Sequence, residues 1–206
     1  MMRARERQVA LVMQSSMIPC CHQNSEHPMD LNKVPVGANP PQEVNVVIEV
    51  PLGSEPIKYE IDKPSGAMLV DRFLYTAMHY PCNYGFIPNT LSDDGDPTDV
   101  MVYGSRALFP GAVVAARPVG VLMMEDEAGM DEKILAVPVH RLTKYYDEVD
   151  DYKDLPDILL HRIEHFFAQY KALEPNKWVK IIGWKGKEEA RQLIIDGVKR
   201  ADAKAT

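Results

Sequence analysis

The sequence is poor in cysteine and in long apolar runs, and each shortage excludes a class of protein. Its three cysteines, Cys20, Cys21 and Cys82, are an odd number in a chain of 206 residues. A chain of this length can hold itself together by burial of apolar side chains, so we expect no disulfide framework and a reducing, cytoplasmic location. The longest apolar runs, such as residues 112–116, are far shorter than the ~20 residues of a membrane-spanning helix. No membrane partner is predicted.

Positive charge is also scarce, since Lys and Arg total 23 against 30 Asp and Glu, for a net charge of −7. This balance argues against a surface that follows a nucleic-acid backbone, so no nucleic-acid partner is predicted. The sequence contains no phosphate-binding P-loop and no defensible Ser-His-Asp pattern. The segment from His161 to His165 matches a zinc-peptidase pattern. However, helical periodicity places both histidines opposite the apolar stripe, so they are predicted to face solvent.

Composition divides the chain into three parts. Residues 1–33 begin with Arg3, Arg5 and Arg7 but have neither the apolar stretch nor the cleavage site of a secretory signal. They are predicted to be a disordered N-terminal extension. Residues 34–201 show no further break in composition and are predicted to form one domain, and residues 202–206 are predicted to be a tail.

The apolar patterning predicts an α+β fold with a β-rich body followed by two helices. Short β-branched or alternating segments occupy residues 44–50, 57–63, 101–103, 112–116 and 118–123. Between Asp154 and Leu173 apolar residues recur every three or four positions, which predicts an amphipathic helix with Asp154 as its cap and Pro156 in its first turn. A second helix is predicted over residues 187–201, with Gly197 as a weak point.

Two acidic segments are candidates for metal binding. Residues 93–100 read DDGDPTDV, a turn in which four aspartates surround a glycine and a proline. Either this is a solvated surface loop, or a hard divalent cation holds the carboxylates together. Residues 125–132 carry five more acids, and two converging acidic segments would supply ligands for several metal ions around a phosphate substrate.

Other charged positions also allow two interpretations. Lys58, Glu60 and Asp62 share one face of a predicted strand, which is either an exposed edge or the wall of a polar cavity. Glu49 interrupts an apolar run and is either solvent-facing by alternation or buried and paired. Further donors that a phosphate would need are supplied by Arg72, Tyr80, Tyr84, Tyr170 and Lys171.

In combination, the motifs resemble the soluble family I inorganic pyrophosphatases of bacteria. The resemblance covers about residues 34–201, in order, and is carried by the segments IKYEIDKPSGAMLVDRF, YPCNYGFIPNT, SDDGDPTDV, RPVGVLMMEDEAGMDEKILAVP and FFAQYKALEPNKWVKIIGW. It implies a five-stranded OB-like closed β-barrel with two helices packed on it. It also implies hydrolysis of pyrophosphate with several Mg²⁺ ions per site, for which Mn²⁺ or Zn²⁺ are expected substitutes, and a homohexamer.

The resemblance further implies a role for each matching position. Asp96 corresponds to the catalytic residue that takes a proton from the attacking water. The metal ligands would be Asp94, Asp99, Asp126, Asp131 and Glu60. The substrate-binding groups would be Lys58, Arg72, Tyr84, Lys133, Tyr170 and Lys171, with Glu49, Tyr80 and Glu127 in support. Thr98 departs from the family pattern, which usually has an aliphatic residue there, and its hydroxyl needs a partner if buried.

Two alternatives of other kinds stay open. A non-catalytic OB-like protein that binds metal or nucleotides would retain the acidic segments, although the simplest route to lost turnover would remove Asp96, Lys58 or Arg72, all of which are present. A broader phosphoesterase acting on nucleotides would need aromatic groups that stack on a base, and the sequence shows no such set.

Overall fold

The computed structural model describes residues 30–205, so most of the predicted N-terminal extension lies outside the described residues. The strands are β1 (Val44–Val50), β2 (Ile57–Ile61), β3 (Met68–Phe73), β4 (Asn83–Phe86), β5 (Asp99–Val102), β6 (Val113–Asp126), β7 (Gly129–Pro138) and β8 (Val179–Gly186). The helices are α1 (Asp157–Gln169) and α2 (Lys187–Ala205), with short 3₁₀ helices at Leu31–Lys33 and Tyr152–Asp154. This composition confirms the predicted α+β class.

Six strands form one sheet in the order β1-β4-β5-β7-β6-β8, and β1 also pairs with β6. The pairings β1-β4-β5-β7-β6-β1 therefore run in a circuit of five strands, with β8 added outside it on β6. Strands β2 and β3 form a separate two-stranded sheet. The β-branched run of β1 is buried along almost its whole length, because its alternating side chains pack into two different apolar clusters, Val46 and Ile48 in one and Val47 in the other.

Strand β6 differs most from the prediction. The apolar pattern predicts two strands, at residues 112–116 and 118–123, but the structure has one long strand with an irregular register between Pro118 and Gly120. The second acidic segment is a hairpin between β6 and β7, in which Asp126 pairs with Gly129. Most of its acids consequently lie on strands, and only Glu127 and Ala128 lie in the turn between them.

Helix α1 packs through most of the predicted apolar stripe, with Ile163, Phe166 and Phe167 almost fully buried. It ends at Gln169, however, and Leu173, the last residue of the predicted stripe, is exposed. His161 and His165 are exposed, as predicted. The start of the helix differs from the prediction, because Pro156 is the N-cap and gives no side-chain hydrogen bond. Asp154 instead completes a reciprocal cap with Asp151 on the preceding 3₁₀ helix. Among residues 30–205, neither helix has the length and apolar character needed to cross a bilayer.

Helix α2 extends to Ala205 and so includes most of the segment expected as a tail. Its carboxyl-terminal half fixes the first acidic segment. The Leu91 amide donates to the Gly197 carbonyl at 2.9 Å, and Arg200 Nε donates to the Leu91 carbonyl at 2.8 Å. Thr98 is buried beside them, and its hydroxyl accepts from Ser92 Oγ at 3.4 Å. The glycine that weakens the helix thus permits its close approach to the acidic turn.

We predict that Gly197→Ala destabilises the protein. An added Cβ would lie 2.8 Å from Thr98 Oγ1 and 3.4 Å from the Leu91 carbonyl oxygen, so the acidic turn must move away from α2. This cost should exceed the gain of about 1 kcal/mol in helix propensity that alanine brings. The check is the thermal midpoint of unfolding, Tm. The double variant Gly197→Ala/Thr98→Ala removes the close oxygen and should recover part of the loss, whereas a rise in Tm for the single variant would contradict the prediction.

Candidate active site

A cavity of about 230 Å³ opens between the main sheet, the β2–β3 sheet and the end of α1. Every sequence-predicted site residue except Glu127 lines it. Seven carboxyl side chains surround it, those of Glu49, Glu60, Asp94, Asp96, Asp99, Asp126 and Asp131. Five cationic side chains share the same walls, those of Lys58, Lys63, Arg72, Lys133 and Lys171. The cavity therefore concentrates opposite charges within a small volume.

Strand geometry explains the most buried charge cluster. Asp131 and Lys133 are two residues apart on β7 and so point to the same side of the strand. Asp99 begins β5, which pairs in parallel with β7 so that Val100 lies opposite Ile134. Asp99 is thereby brought beside Lys133. The Lys133 side chain is 6% exposed, and its ammonium donates to the carboxylates of both Asp99 and Asp131.

Lys133 retains its proton in this setting. Burial alone would lower its pKa, but the charges of Asp99 and Asp131 outweigh burial and raise the pKa above its ordinary value. The ring of Tyr84 lies under the same ammonium, 5.8 Å from its centroid. Burial holds the pKa of Tyr84 well above its ordinary value, so its hydroxyl remains a hydrogen-bond donor.

A second ion pair lies where α1 meets the β6–β7 hairpin. Lys171 donates to Asp126 at 2.8 Å and lies 3.8 Å from Glu127. Burial acts to raise the pKa of Asp126, but the hydrogen bond from Lys171 and the Ala128 amide hold the pKa below its ordinary value. Glu127 contacts Lys177 rather than lining the cavity, so it lies at the rim.

The aromatic core of α1 supports this side of the cavity. Tyr170, buried at the end of the helix, stacks on Phe166 at 5.2 Å and meets Phe167 edge-on. Tyr80 packs on Phe166 at 4.6 Å and on Tyr84 at 5.4 Å. These contacts hold in place the three tyrosine rings that line the cavity, those of Tyr80, Tyr84 and Tyr170.

The β2–β3 sheet supplies the opposite wall. Lys58 pairs in register with Arg72 across the two strands, and Lys58 contacts Glu60 and lies 3.5 Å from Asp71. The side chain of Glu60 remains about half exposed. Lys58 and Glu60 therefore line a polar cavity, in agreement with the second of the two interpretations, whereas Asp62 lies beyond the end of β2, contacts Ser65 and does not line it.

Glu49 is buried, so the interpretation of a solvent-facing residue is wrong and that of a buried residue is confirmed. It is 7% exposed and accepts a hydrogen bond from the Ile61 amide at 2.8 Å. Burial, with a contribution from the charge of Asp99, raises its pKa to about 7. Glu49 thus links β1 to the end of β2 and holds a proton more firmly than an ordinary carboxyl group.

The first acidic turn is the most exposed part of the site. Gly95 has a φ of 94°, a conformation that favours glycine, and the Asp96 amide donates to Asp94 Oδ1 at 3.0 Å. Asp96 is exposed and lies 3.1 Å from Lys63 Nζ. Sequence reasoning misses Lys63 because the predicted strand runs to residue 63, where alternation places Lys63 on the face opposite Lys58 and Glu60. In the structure β2 already ends at Ile61, so that alternation does not apply to Lys63.

The donor set fits a hard divalent cation by its chemistry, because seven carboxyl groups line the cavity and, of the residues described, no cysteine or histidine does. The carboxylates do not converge on one point: within residues 30–205, no three His, Cys, Asp or Glu side chains form a group that could hold a metal ion. Lysines separate them, since Lys133 lies between Asp99 and Asp131 and Lys171 pairs with Asp126.

Comparison with known proteins points to one family. A family model described as inorganic pyrophosphatase matches residues 46–202. An inorganic pyrophosphatase from Bradyrhizobium diazoefficiens is 61% identical over 176 residues, which are 85% of this chain and 99% of that protein. One from Rhodospirillum rubrum is 64% identical over 170 residues, 82% of this chain and 95% of that protein.

Solved structures agree. The chain is similar to an inorganic phosphatase from Anaplasma phagocytophilum, with a TM-score of 0.81 and 52% identity over 82% of this chain and 99% of that one. It is also similar to an inorganic pyrophosphatase from Helicobacter pylori, with a TM-score of 0.79 and 48% identity over 82% and 99% of the two chains.

We predict that Glu49 makes stability fall as pH rises through its titration. Its pKa is about 7 in the folded protein, against 4.5 for an unperturbed glutamate. Between these values the folded state binds more protons than the unfolded state, so the free energy of unfolding decreases with pH across this window. Glu49→Gln is neutral at every pH and lacks this decrease. Its stability relative to wild type should therefore rise by about 2–3 kcal/mol between pH 5 and 8.

The measurement is urea unfolding at several pH values with a chelator present, so that metal binding does not contribute. Glu148→Gln, a change of the same kind at an exposed position, is the matched control and should follow the wild-type pH dependence. Parallel curves for wild type and Glu49→Gln would contradict the prediction.

Proposed function

Because the chain belongs to the inorganic pyrophosphatase family, we propose that it hydrolyses inorganic pyrophosphate to two phosphates with Mg²⁺ as its cofactor. The observation that carries the proposal is the cavity in which seven carboxyl groups face five cationic groups. Phosphoryl transfer asks a protein mainly for positioning and for stabilisation of charge. A site with both signs of charge can bind divalent cations and a polyanionic substrate together.

The proposed division of roles follows the residue types. Asp94, Asp99, Asp126, Asp131 and Glu60 would hold Mg²⁺, which neutralises phosphate charge and lowers the pKa of water when bound. Lys58, Arg72, Lys133 and Lys171 would bind phosphate oxygens as cations, and the Tyr84 and Tyr170 hydroxyls would donate hydrogen bonds to them. Glu49, Tyr80 and Glu127 would support this arrangement.

Asp96 is the proposed proton acceptor. Among the cavity carboxylates that form ion pairs in the described residues, Asp96 is the most exposed. Water therefore reaches it without rearrangement of the fold. It would orient the attacking water and take its proton as the water oxygen bonds to phosphorus. The bond between that phosphorus and the bridging oxygen breaks, and the cationic side chains stabilise the phosphate that leaves.

The proposal also includes the closed barrel, the oligomeric state and the cellular location that the sequence analysis led us to expect. The pairing of β1 with both β4 and β6 supports an OB-like closed barrel of five strands. Large exposed apolar side chains, including Ile158, Leu173 and Ile182, support assembly into a homo-oligomer, proposed to be a homohexamer. We further propose a cytoplasmic location.

The first test measures phosphate release from pyrophosphate by the purified full chain, with and without Mg²⁺, and with ATP as an alternative substrate. We expect fast, Mg²⁺-dependent release from pyrophosphate and little from ATP, and slower release when Mn²⁺ or Zn²⁺ replaces Mg²⁺. Absence of release from the folded, Mg²⁺-loaded protein would favour a non-catalytic binding protein. Comparable release from ATP would favour a broader phosphoesterase.

The second test replaces the proposed proton acceptor. Asp96→Asn removes the acceptor at nearly constant volume, so kcat should fall by about two to four orders of magnitude while Tm changes little. Asp93→Asn is the matched control, because Asp93 lies in the same turn and its ion pair with Arg200 is exposed. Near-normal turnover by Asp96→Asn, or an equal loss in both variants, would refute the role.

A further inference from the structure

Glu174 lies behind a proposed substrate-binding residue without reaching the cavity itself. Arg72 Nη1 donates to Glu174 Oε2 at 3.4 Å, a contact that joins residues 102 positions apart. Arg72 lines the cavity and Glu174 does not. The Glu174 side chain is only 11% exposed, which is an uncommon degree of burial for a carboxylate.

The backbone places Glu174 with little freedom. It follows α1 in a turn in which its amide donates to the Lys171 carbonyl at 2.9 Å and its carbonyl accepts from the Lys177 amide at 3.3 Å. The same segment carries Tyr170 and Lys171, which line the cavity. The position of Glu174 is thus coupled to the wall that the end of α1 supplies.

The contact with Arg72 compensates the negative charge of the largely buried Glu174 carboxylate. Glu174 Oε1 is buried and has no hydrogen-bond partner among the described residues. The negative charge of this carboxylate is therefore compensated through the contact of Oε2 with Arg72. Burying a carboxylate without a partner is strongly unfavourable. The pair therefore favours one orientation of the guanidinium. Asp71 lies 3.6 Å from Arg72 Nε, and its negative charge restricts the orientation of the guanidinium from a second side.

We propose that Glu174 is a positioning residue that holds the Arg72 guanidinium toward the cavity for a phosphate group of pyrophosphate. The inference rests on the proposed function, because it requires Arg72 to bind substrate. A guanidinium recognises phosphate through a planar fork of donors, which is effective only in the correct orientation. An arginine released from Glu174 would sample rotamers that point away from the substrate.

The direction of the KM change separates positioning from a simple charge effect. Removing a negative charge near Arg72 makes the cavity more positive, which alone would tighten pyrophosphate binding and lower KM. Loss of orientation would raise KM. Because Arg72 would contact phosphate before and during the reaction, its misplacement should change KM more than kcat.

The experiment measures kcat and KM for pyrophosphate at saturating Mg²⁺, together with Tm, for the full chain. Glu174→Gln should raise KM about tenfold, within the range of couplings between contacting residues, and change kcat less than about threefold. Glu174→Asp keeps the charge but shortens the side chain, so it should also raise KM. In the Arg72→Ala background, Glu174→Gln should change KM less than about twofold. The matched control, Glu188→Gln, alters a surface glutamate that pairs with Arg191 and should match wild type.

Several results would overturn the proposal. A lower or unchanged KM, with only Tm reduced, would make Glu174 a structural residue. An undiminished effect in the Arg72→Ala background would show that it does not act through Arg72. If Glu174→Gln does not fold, Glu174→Asp carries the same comparison. Failure of the proposed function is distinguishable, because wild type itself would then release no phosphate.

Discussion

The burial of Lys133 between Asp99 and Asp131 is the constraint on which the site depends. The Lys133 side chain is 6% exposed, and an ammonium on so buried a side chain is tolerable only with opposite charges in direct contact. Those charges come from two strands, so the pairing of β5 with β7 must keep its register. A shift by one residue would move Asp131 and Lys133 to the other face of the sheet. The ion pairs of Lys133 therefore require this register of β5 and β7, and the register in turn places Asp99 beside Lys133.

The two helices support opposite sides of this charged centre. Helix α1 supplies Tyr170 and Lys171 from its end, and the contacts of Phe166 with Tyr80 and of Phe167 with Tyr84 keep that wall packed. Helix α2 holds the acidic turn through Gly197 and Arg200. Only residues 93–96 of the turn are exposed, so their placement depends on these contacts with α2 and on the buried Thr98 that follows them. Rigid packing thus surrounds a site whose acidic loop is open to solvent.

Sequence patterns predict the elements whose signal is local. The apolar spacing predicts both helices, and the β-branched run predicts β1. Strands β3, β4, β7 and β8 escape prediction. Strand β3 is largely exposed and β4 has only four residues, β7 begins inside the second acidic segment, and Gly183 interrupts β8 with a φ of 135°. The predicted start of α1 is wrong because Asp154 has a competing partner in Asp151, and a capping residue next to two possible helices does not reveal which one it caps.

The candidate site likewise has features that local sequence predicts and features that depend on long-range contacts. Residues within the motifs are predicted as members by resemblance, and the structure brings nearly all of them to one cavity; their chemical roles stay predictions. The environment of each could not be predicted. The burial of Glu49, and with it a pKa of about 7, depends on β2 lying over β1. Glu174 falls within a quoted motif, yet its contact with Arg72 joins positions that only the folded chain brings together. A local motif thus identifies the groups that can meet a substrate, whereas long-range packing determines the orientation and protonation with which they meet it.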